Sequence, residues 1–209
     1  IIDIGGESTR PNAEIVTVSQ EIDRVVPLVE AVRSRFDCLI SVDSSKAEVF
    51  RESAKAGADI LNDIRALTEP NALETAAELG LPVCIMHMQG SPQTMQQAPH
   101  YEDVVEEVAD FLNHRILECT LAGIPKEHII LDVGFGFGKT VEHNYQLLKH
   151  LKAFVDSGFR SCGLRPLVSK TTYSCPSICR VYLWCCCRGG YHVLIKHDPY
   201  IALSQLGGE

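Results

Sequence analysis

The sequence predicts an α/β protein, an incomplete (β/α)8 TIM barrel whose first strand is missing and whose last strands are degraded. Three observations lead there. Short β-rich runs alternate with amphipathic helical stretches up to about Phe154, nearly every run ends in a polar or ionisable residue, and both regularities stop after that point. Such alternation implies parallel strands joined by helical crossovers. An open doubly wound sheet gathers its ligand groups at one switch point, so one or two strands supply them. A barrel draws them from many strands at its C-terminal face. Five successive contributing strands favour the barrel.

The β-rich runs lie at residues 1–4, 38–42, 59–64, 82–86 and 128–133. Their ends carry Asp3 and Glu7, Asp43, Asn62 and Asp63, His87, and Asp132. Between them, Ile22, Val25, Val26, Val29 and Val32 form one helical stripe, with Thr17 and Gln20 as its capping box. Ser45 and Glu48 repeat that box before a second helix, which Gly57 stops. Pro70 and Gly80 bracket a third. Val104, Val108, Phe111, Leu112 and Cys119 mark a fourth, ended by Gly123, and Leu147, Leu148, Leu151 and Phe154 a fifth. After Phe154 only residues 164–169 and 192–196 resemble strands.

Bulk properties fit one domain, with a barrel body over 1–154 and an aberrant C-terminal part over 155–209. Of 209 residues, 45% are hydrophobic and 22% charged, enough for a sizeable core. The body holds 13 Lys+Arg against 24 Asp+Glu, while the last part holds 6 against 3 and carries six of the nine cysteines. An acidic body argues against nucleic-acid binding. Sparse cysteine there, with no apolar run of membrane-spanning length and no signal peptide, predicts a cytoplasmic protein. The chain opens on a strand without an initiator Met, so its natural start is expected further upstream.

Several motifs carry chemistry. In Asp3-Ile4-Gly5-Gly6-Glu7-Ser8-Thr9-Arg10-Pro11, two glycines let backbone N–H groups approach a ligand, and Thr9 and Arg10 add a hydroxyl and a fixed cation. The set suits an anion such as a diphosphate; its plain alternative is a polar turn. Asp43 ends a strand just before a helix, where it could support the cap, although Ser45 already fills that role. Asn62 offers both donor and acceptor. Met86 is by type more often core than ligand contact. The stretch from Leu131 to Lys139 follows a strand-end Asp with three glycines. Its end mimics a phosphate loop, but Val133 stands where that pattern needs Gly. In the tail, Cys175, Cys179, His192 and His197 match zinc-finger spacing, yet Gly189-Gly190 breaks the helix that would present the histidines, so the match reads as coincidence.

These motifs resemble, in order and almost unbroken over 1–151, those of bacterial dihydropteroate synthases. The resemblance rests on residues 2–11, Ser41 to Lys46, Ile60 to Ile64, Cys84 to Gly90 and Leu131 to Lys139. It implies condensation of p-aminobenzoate with 6-hydroxymethyl-7,8-dihydropterin diphosphate, giving 7,8-dihydropteroate for folate synthesis. It implies that Asp43, Asn62, Asp132 and Lys170 bind the pterin. Thr9, Arg10, Phe137 and His197 would lie by the diphosphate and p-aminobenzoate, and Met86 would line the pocket. Magnesium is the implied cofactor, sulfonamides the implied competitors, and a homodimer the implied assembly. A pterin-dependent methyltransferase domain or a non-catalytic pterin binder are the alternatives. Departures are concentrated in the tail. Val168-Ser169-Lys170 and Ile195-Lys196-His197-Asp198 each lack the Arg of the family's motif, and Val133 replaces a usual Pro. The missing first strand is expected to leave apolar barrel edges unpaired, and pterin binding without turnover is the expected result.

Overall fold

A computed structural model of the chain describes residues 1–9, 13–92, 94–95, 98–156, 160–162 and 180–183. The chain runs β1 (Ile2–Gly5), α1 (Val18–Arg33), β2 (Ile40–Asp43), α2 (Ala47–Ala56), β3 (Ile60–Asp63), α3 (Ala72–Leu79), β4 (Val83–Met86), α4 (Val104–Leu121), β5 (Ile129–Asp132), α5 (Val141–Asp156), β6 (Arg160–Cys162) and β7 (Arg180–Leu183). All five expected strands and helices of the body are present, within about two residues at most ends. No described helix is long and apolar enough to cross a membrane.

Local chemistry explains most boundaries. Thr17 caps α1 with its hydroxyl on the Gln20 amide, and the Gln20 side chain answers on the Thr17 amide at 3.0 Å. The box expected for α2 does not form. Lys46 is the N-cap residue and makes no side-chain cap bond; the Ser45 hydroxyl donates to Asp63 instead. Ser44 Oγ accepts the Lys46 amide at 3.2 Å, a local turn contact. At its other end α2 stops on Gly57 in the left-handed region, as expected. Asp103 caps α4 through the Val105 and Glu106 amides.

Strands β1 to β6 are parallel, and each lies beside its predecessor, in the order β6-β5-β4-β3-β2-β1-β7. A doubly wound sheet would reverse this order at a switch point. The sequential order is that of a barrel wall. One expectation is corrected at β1. Its outer edge is not left unpaired, because β7 runs antiparallel along it, with Ile2 opposite Leu183 and Gly5 opposite Arg180. Strand β6 falls at 160–162, where glycine-flanked sequence carries little strand signal. The expected strands at 164–169 and 192–196, and the Cys175, Cys179, His192 and His197 spacing, lie outside the described residues.

Period-two alternation sorts the strand side chains onto two faces. Ile4, Ile40 and Val42 pack with Val25, Val29 and Val32 of α1 and Val49 of α2. Leu61, Val83, Ile85, Ile129 and Leu131 pack with Phe50, Val108, Leu112 and Leu147 of the next helices. Each such buried side chain contributes about 1.5–3 kcal/mol. The remaining positions, Asp3, Ser41, Asp43, Asn62, Cys84, Met86 and Asp132, therefore share the opposite face. That face is concave: the Asn62 amide donates to the Asp3 carboxylate at 3.2 Å although β2 lies between their strands. Flat strands 4.7–4.9 Å apart would hold those side chains too far away.

Two loops at the C-terminal end of the sheet are tightly built. After β3, fully buried Asp63 accepts the Arg65 and Leu67 amides at 2.8 Å. It thereby supports Ala66 and Leu67, consecutive non-glycine residues at φ 53° and 59°. Arg115 of α4 donates to the Ala66 and Leu67 carbonyls. After β5, Gly134 sits at φ 69°, and a Cβ there would lie 1.9 Å from the His87 carbonyl oxygen.

Substituting Gly134 by Ala is expected to destabilise the chain by at least about 2 kcal/mol, from backbone strain and overpacking together. Gly136 is also at positive φ but has nothing within 4 Å of its added Cβ, so Gly136→Ala should cost about 1 kcal/mol. Urea unfolding of both variants checks this, and equal effects would refute the close approach at Gly134. A second expectation concerns pH. Burial, opposed by its hydrogen bonds and reinforced by Asp43, raises the Asp63 carboxyl from 3.8 to about 6. Between those values the folded state holds more protons than the unfolded one, so this group's contribution to stability falls as pH rises. Stability relative to Asp63→Asn should therefore decline from about pH 4 to pH 6 and level off above. A rise across that window in denaturant titrations would contradict the assignment.

Candidate active site

The turn after β1 begins the site. Gly6 packs so closely against Glu21 and Val25 of α1 that an added Cβ would lie 2.8 Å from the Glu21 side chain. Glu7 then turns back, accepting the Val16 amide at 3.3 Å and the Lys46 ammonium at 2.6 Å. Lys46 also donates to Glu21, whose side chain is fully buried. Burial works against the Lys46 ammonium, but bonds and charge from Glu21 and Glu7 outweigh it and raise its pKa above the ordinary lysine value. Glu7 thus ties together the two ends of the segment that carries Thr9. Lys46 closes the Ser41 to Lys46 motif but was given no role there, and Glu21 did not stand out in the sequence. Their signal was weak, one charged position on an otherwise apolar helix stripe and one at the head of α2.

A cleft at this end of the sheet is lined by Ser8, Thr9, Asp43, Ser44, Ile64 and Arg65 among others. A second cavity of about 290 Å³ is lined by Met86, Met88, Ser91 and Phe111, and shares Ile64 and Arg65 with the first. The structure therefore brings Thr9 and Asp43 together, and places Met86 next door. Asn62 and Asp132 lie on the same concave face as Asp43, 1% and 7% exposed, but line neither cavity. Arg10, Lys170 and His197 lie outside the described residues.

Asn62 is oriented by a residue the sequence reading treated only as a strand end. Asp3 accepts its amide nitrogen at 3.2 and 3.3 Å. A carboxylate oxygen only accepts here, so the Asn62 nitrogen must face Asp3, which leaves its carbonyl oxygen and second N–H for other partners. Alternation along β1 could have revealed this, since Asp3 is a polar residue between two outward-facing isoleucines. Asp132 is also oriented: its Oδ1 accepts the Gly134 amide at 2.8 Å. Val133, where the family pattern has Pro, is buried in the outer apolar cluster and does not disturb that bond.

Beyond Gly134 the chain wraps around Lys139. Its ammonium is 3.0 Å from His87 Nδ1 and donates to the carbonyls of Gly134, Phe137 and His87. Burial lowers the Lys139 pKa to about 7, with nearby Asp132 opposing the shift. Burial, and then Lys139 itself, lowers His87 to about 3, so its imidazole is neutral near pH 7. Phe137 is half-buried, and its amide donates to the Gly134 carbonyl at 3.1 Å. Among the described residues no three His, Cys, Asp or Glu side chains converge to hold a metal ion.

Two carboxylates and an oriented amide on one concave face, beside a polar cleft, suit a flat heterocycle with N–H donors and ring acceptors. Comparison with known proteins agrees. The pterin binding enzyme family matches residues 1–168. Dihydropteroate synthase of Haemophilus influenzae is 66% identical over 159 residues, covering 76% of this chain and 58% of that protein. The Escherichia coli K12 enzyme is 61% identical over 154 residues, covering 74% and 55%. Among solved structures, Yersinia pestis dihydropteroate synthase in complex with a sulfonamide drug superposes with TM-score 0.75 and 55% identity over 77% of this chain and 58% of that one. Xanthomonas albilineans dihydropteroate synthase with 4-aminobenzoic acid gives 0.72 and 45%, over 77% and 57%. The chain thus spans somewhat more than half the length of these relatives, and its sheet is of the (β/α)8-barrel type. The chain belongs to the pterin-binding enzyme family.

Proposed function

We propose that the chain is the pterin-binding portion of a dihydropteroate synthase. The observation that carries the proposal is that Asp43, Asn62 and Asp132 share one concave face, in a chain 66% identical to a dihydropteroate synthase over 159 residues. In the reaction, the amine nitrogen of p-aminobenzoate attacks the exocyclic methylene of the pterin. The carbon–oxygen bond to diphosphate breaks, its electron pair leaves with the diphosphate, and the amine loses a proton. Little acid–base work is needed. Positioning a weak nucleophile and stabilising the leaving group are the main tasks.

The residues divide naturally between those tasks. Asp43 and Asp132 would accept from pterin N–H groups, and Asn62 would offer its carbonyl oxygen and free N–H to a donor–acceptor edge. Each charge-assisted bond would contribute about 1.5–3 kcal/mol. Thr9, at the cleft beside Asp43, would meet the diphosphate or the aminobenzoate, together with Arg10. Phe137 would pack near the aryl ring, and Met86 would fill the pocket wall. Lys170 and His197 would complete the pterin and diphosphate contacts. Magnesium, which binds largely through substrate phosphates, would enter with the diphosphate. Sulfonamides would compete at the aminobenzoate position.

Supplying the chain with both substrates and measuring dihydropteroate tests the proposal, with calorimetry of the pterin diphosphate alone as a second arm. Product supports a complete synthase site; binding without product is the outcome expected of a pterin-binding portion alone. Neither binding nor product would sink both readings. Asp132→Asn is expected to weaken pterin binding about ten- to a hundred-fold, or about 1.5–3 kcal/mol. The substituted amide can still accept from Gly134, so the loop should survive. Unchanged affinity would remove Asp132 from the site.

A further inference from the structure

Lys139 presents an unexplained arrangement. It is 3% exposed, and its Nζ lies 2.9 Å from the Gly134 carbonyl, 3.0 Å from that of Phe137, 3.2 Å from that of His87, and 3.0 Å from His87 Nδ1. Burying an amine is costly unless it is hydrogen-bonded, and here three carbonyl oxygens accept from it while the His87 ring nitrogen stands at a fourth side. None is a carboxylate. The loop bends its own backbone around one amine nitrogen, with Gly134, Gly136 and Gly138 all at positive φ. It is also docked from outside: the Tyr101 hydroxyl donates to the Gly138 carbonyl at 2.8 Å, and a Cβ on Gly138 would lie 2.7 Å from the Gln89 carbonyl oxygen.

The bonded groups show what the cation controls. Residue Gly134 has its N–H on Asp132 Oδ1 and, in the next peptide unit, its C=O on Lys139. Residue Phe137 has its N–H on the Gly134 carbonyl and, in the next peptide unit, its C=O on Lys139. Lys139 therefore holds the carbonyl side of Gly134, whose N–H in the preceding peptide orients the Asp132 carboxylate, and the carbonyl of Phe137, directly beside its ring-bearing Cα. We propose that Lys139 is a positioning residue, which sets Asp132 for the pterin and Phe137 for the aryl amine through the carbonyls it binds, without touching either substrate. This rests on the pterin reading of Asp132 given above.

The test uses the whole chain with Lys139→Met, which keeps the length of the side chain and removes its donors. Lys139→Gln, which retains an N–H donor group, is the second variant should the first not fold. Exposed Lys149→Met is the control. In the ligand-free chain, amide hydrogen exchange at Gly134 and Phe137 should accelerate at least tenfold in Lys139→Met, less in Lys139→Gln, and not in the control. Amides of α1 to α3 should keep their protection in all three. Affinity for 6-hydroxymethyl-7,8-dihydropterin diphosphate, by calorimetry, should fall at least tenfold in Lys139→Met. The further loss on adding Asp132→Asn should be smaller than Asp132→Asn causes alone, because both act through one orientation. Unchanged exchange at Gly134 and Phe137, or fully additive losses, would overturn the proposal. If the unsubstituted chain does not bind the pterin, the pterin reading fails, and the substrate part of this proposal falls with it. The exchange arm still decides separately whether Lys139 holds the loop.

Discussion

The hydrogen bond from Asn62 to Asp3 passes over an intervening strand, and the site depends on the curvature that this requires. On a flat sheet, polar residues at alternate positions of five strands would point in parallel into solvent. Curvature turns the same residues toward one axis. It gives the sheet two unlike faces: a convex one covered by helices and filled with Val, Ile and Leu, and a concave one holding Asp3, Asp43, Asn62 and Asp132. The apolar face supplies stability. Asp3, Asn62 and Asp132 can then be held nearly dry because each is tied to a neighbour rather than left to find one.

The body of the fold was legible because its signals are local. Thr17 with Gln20, Gly57 after α2, and the valine stripe of α1 each encode their structure within a few residues. Ser45 shows where such reasoning fails. It sits at a cap position by spacing, yet its hydroxyl serves Asp63, 18 residues away, since a fully buried carboxylate gains more from that donor than a helix end open to water loses. Candidate ligands at strand ends were legible for the same reason that strand ends are. Their orienting partners were not, because Asp3–Asn62 and Lys139–His87 are separated by 59 and 52 residues. The strand β7 is a further case, since antiparallel pairing on β1 is a property of the assembled sheet and not of residues 180–183.

Basic side chains recur around the sheet mouth, and each takes a different kind of partner. Lys46 is held by two carboxylates, Arg115 by Glu118 and two carbonyls, and Lys139 by carbonyls and a neutral imidazole. The choice follows side-chain geometry. The planar guanidinium of Arg115 can span two successive carbonyls, whereas an ammonium accepts partners from several directions at once. Each ties down a loop at the C-terminal end of the sheet through hydrogen bonds that the apolar layer does not supply.

The reach of Arg115 has an evolutionary consequence. It belongs to α4, in the outer layer, and yet it shapes the loop whose Ile64 and Arg65 form the wall common to both cavities. A change on that outer helix could alter which molecules the mouth admits while every contacting side chain stayed the same. Drift in the helical shell and selection at the binding surface are therefore not independent in this chain. Two lineages with identical cavity residues could diverge in preference through the layer behind them.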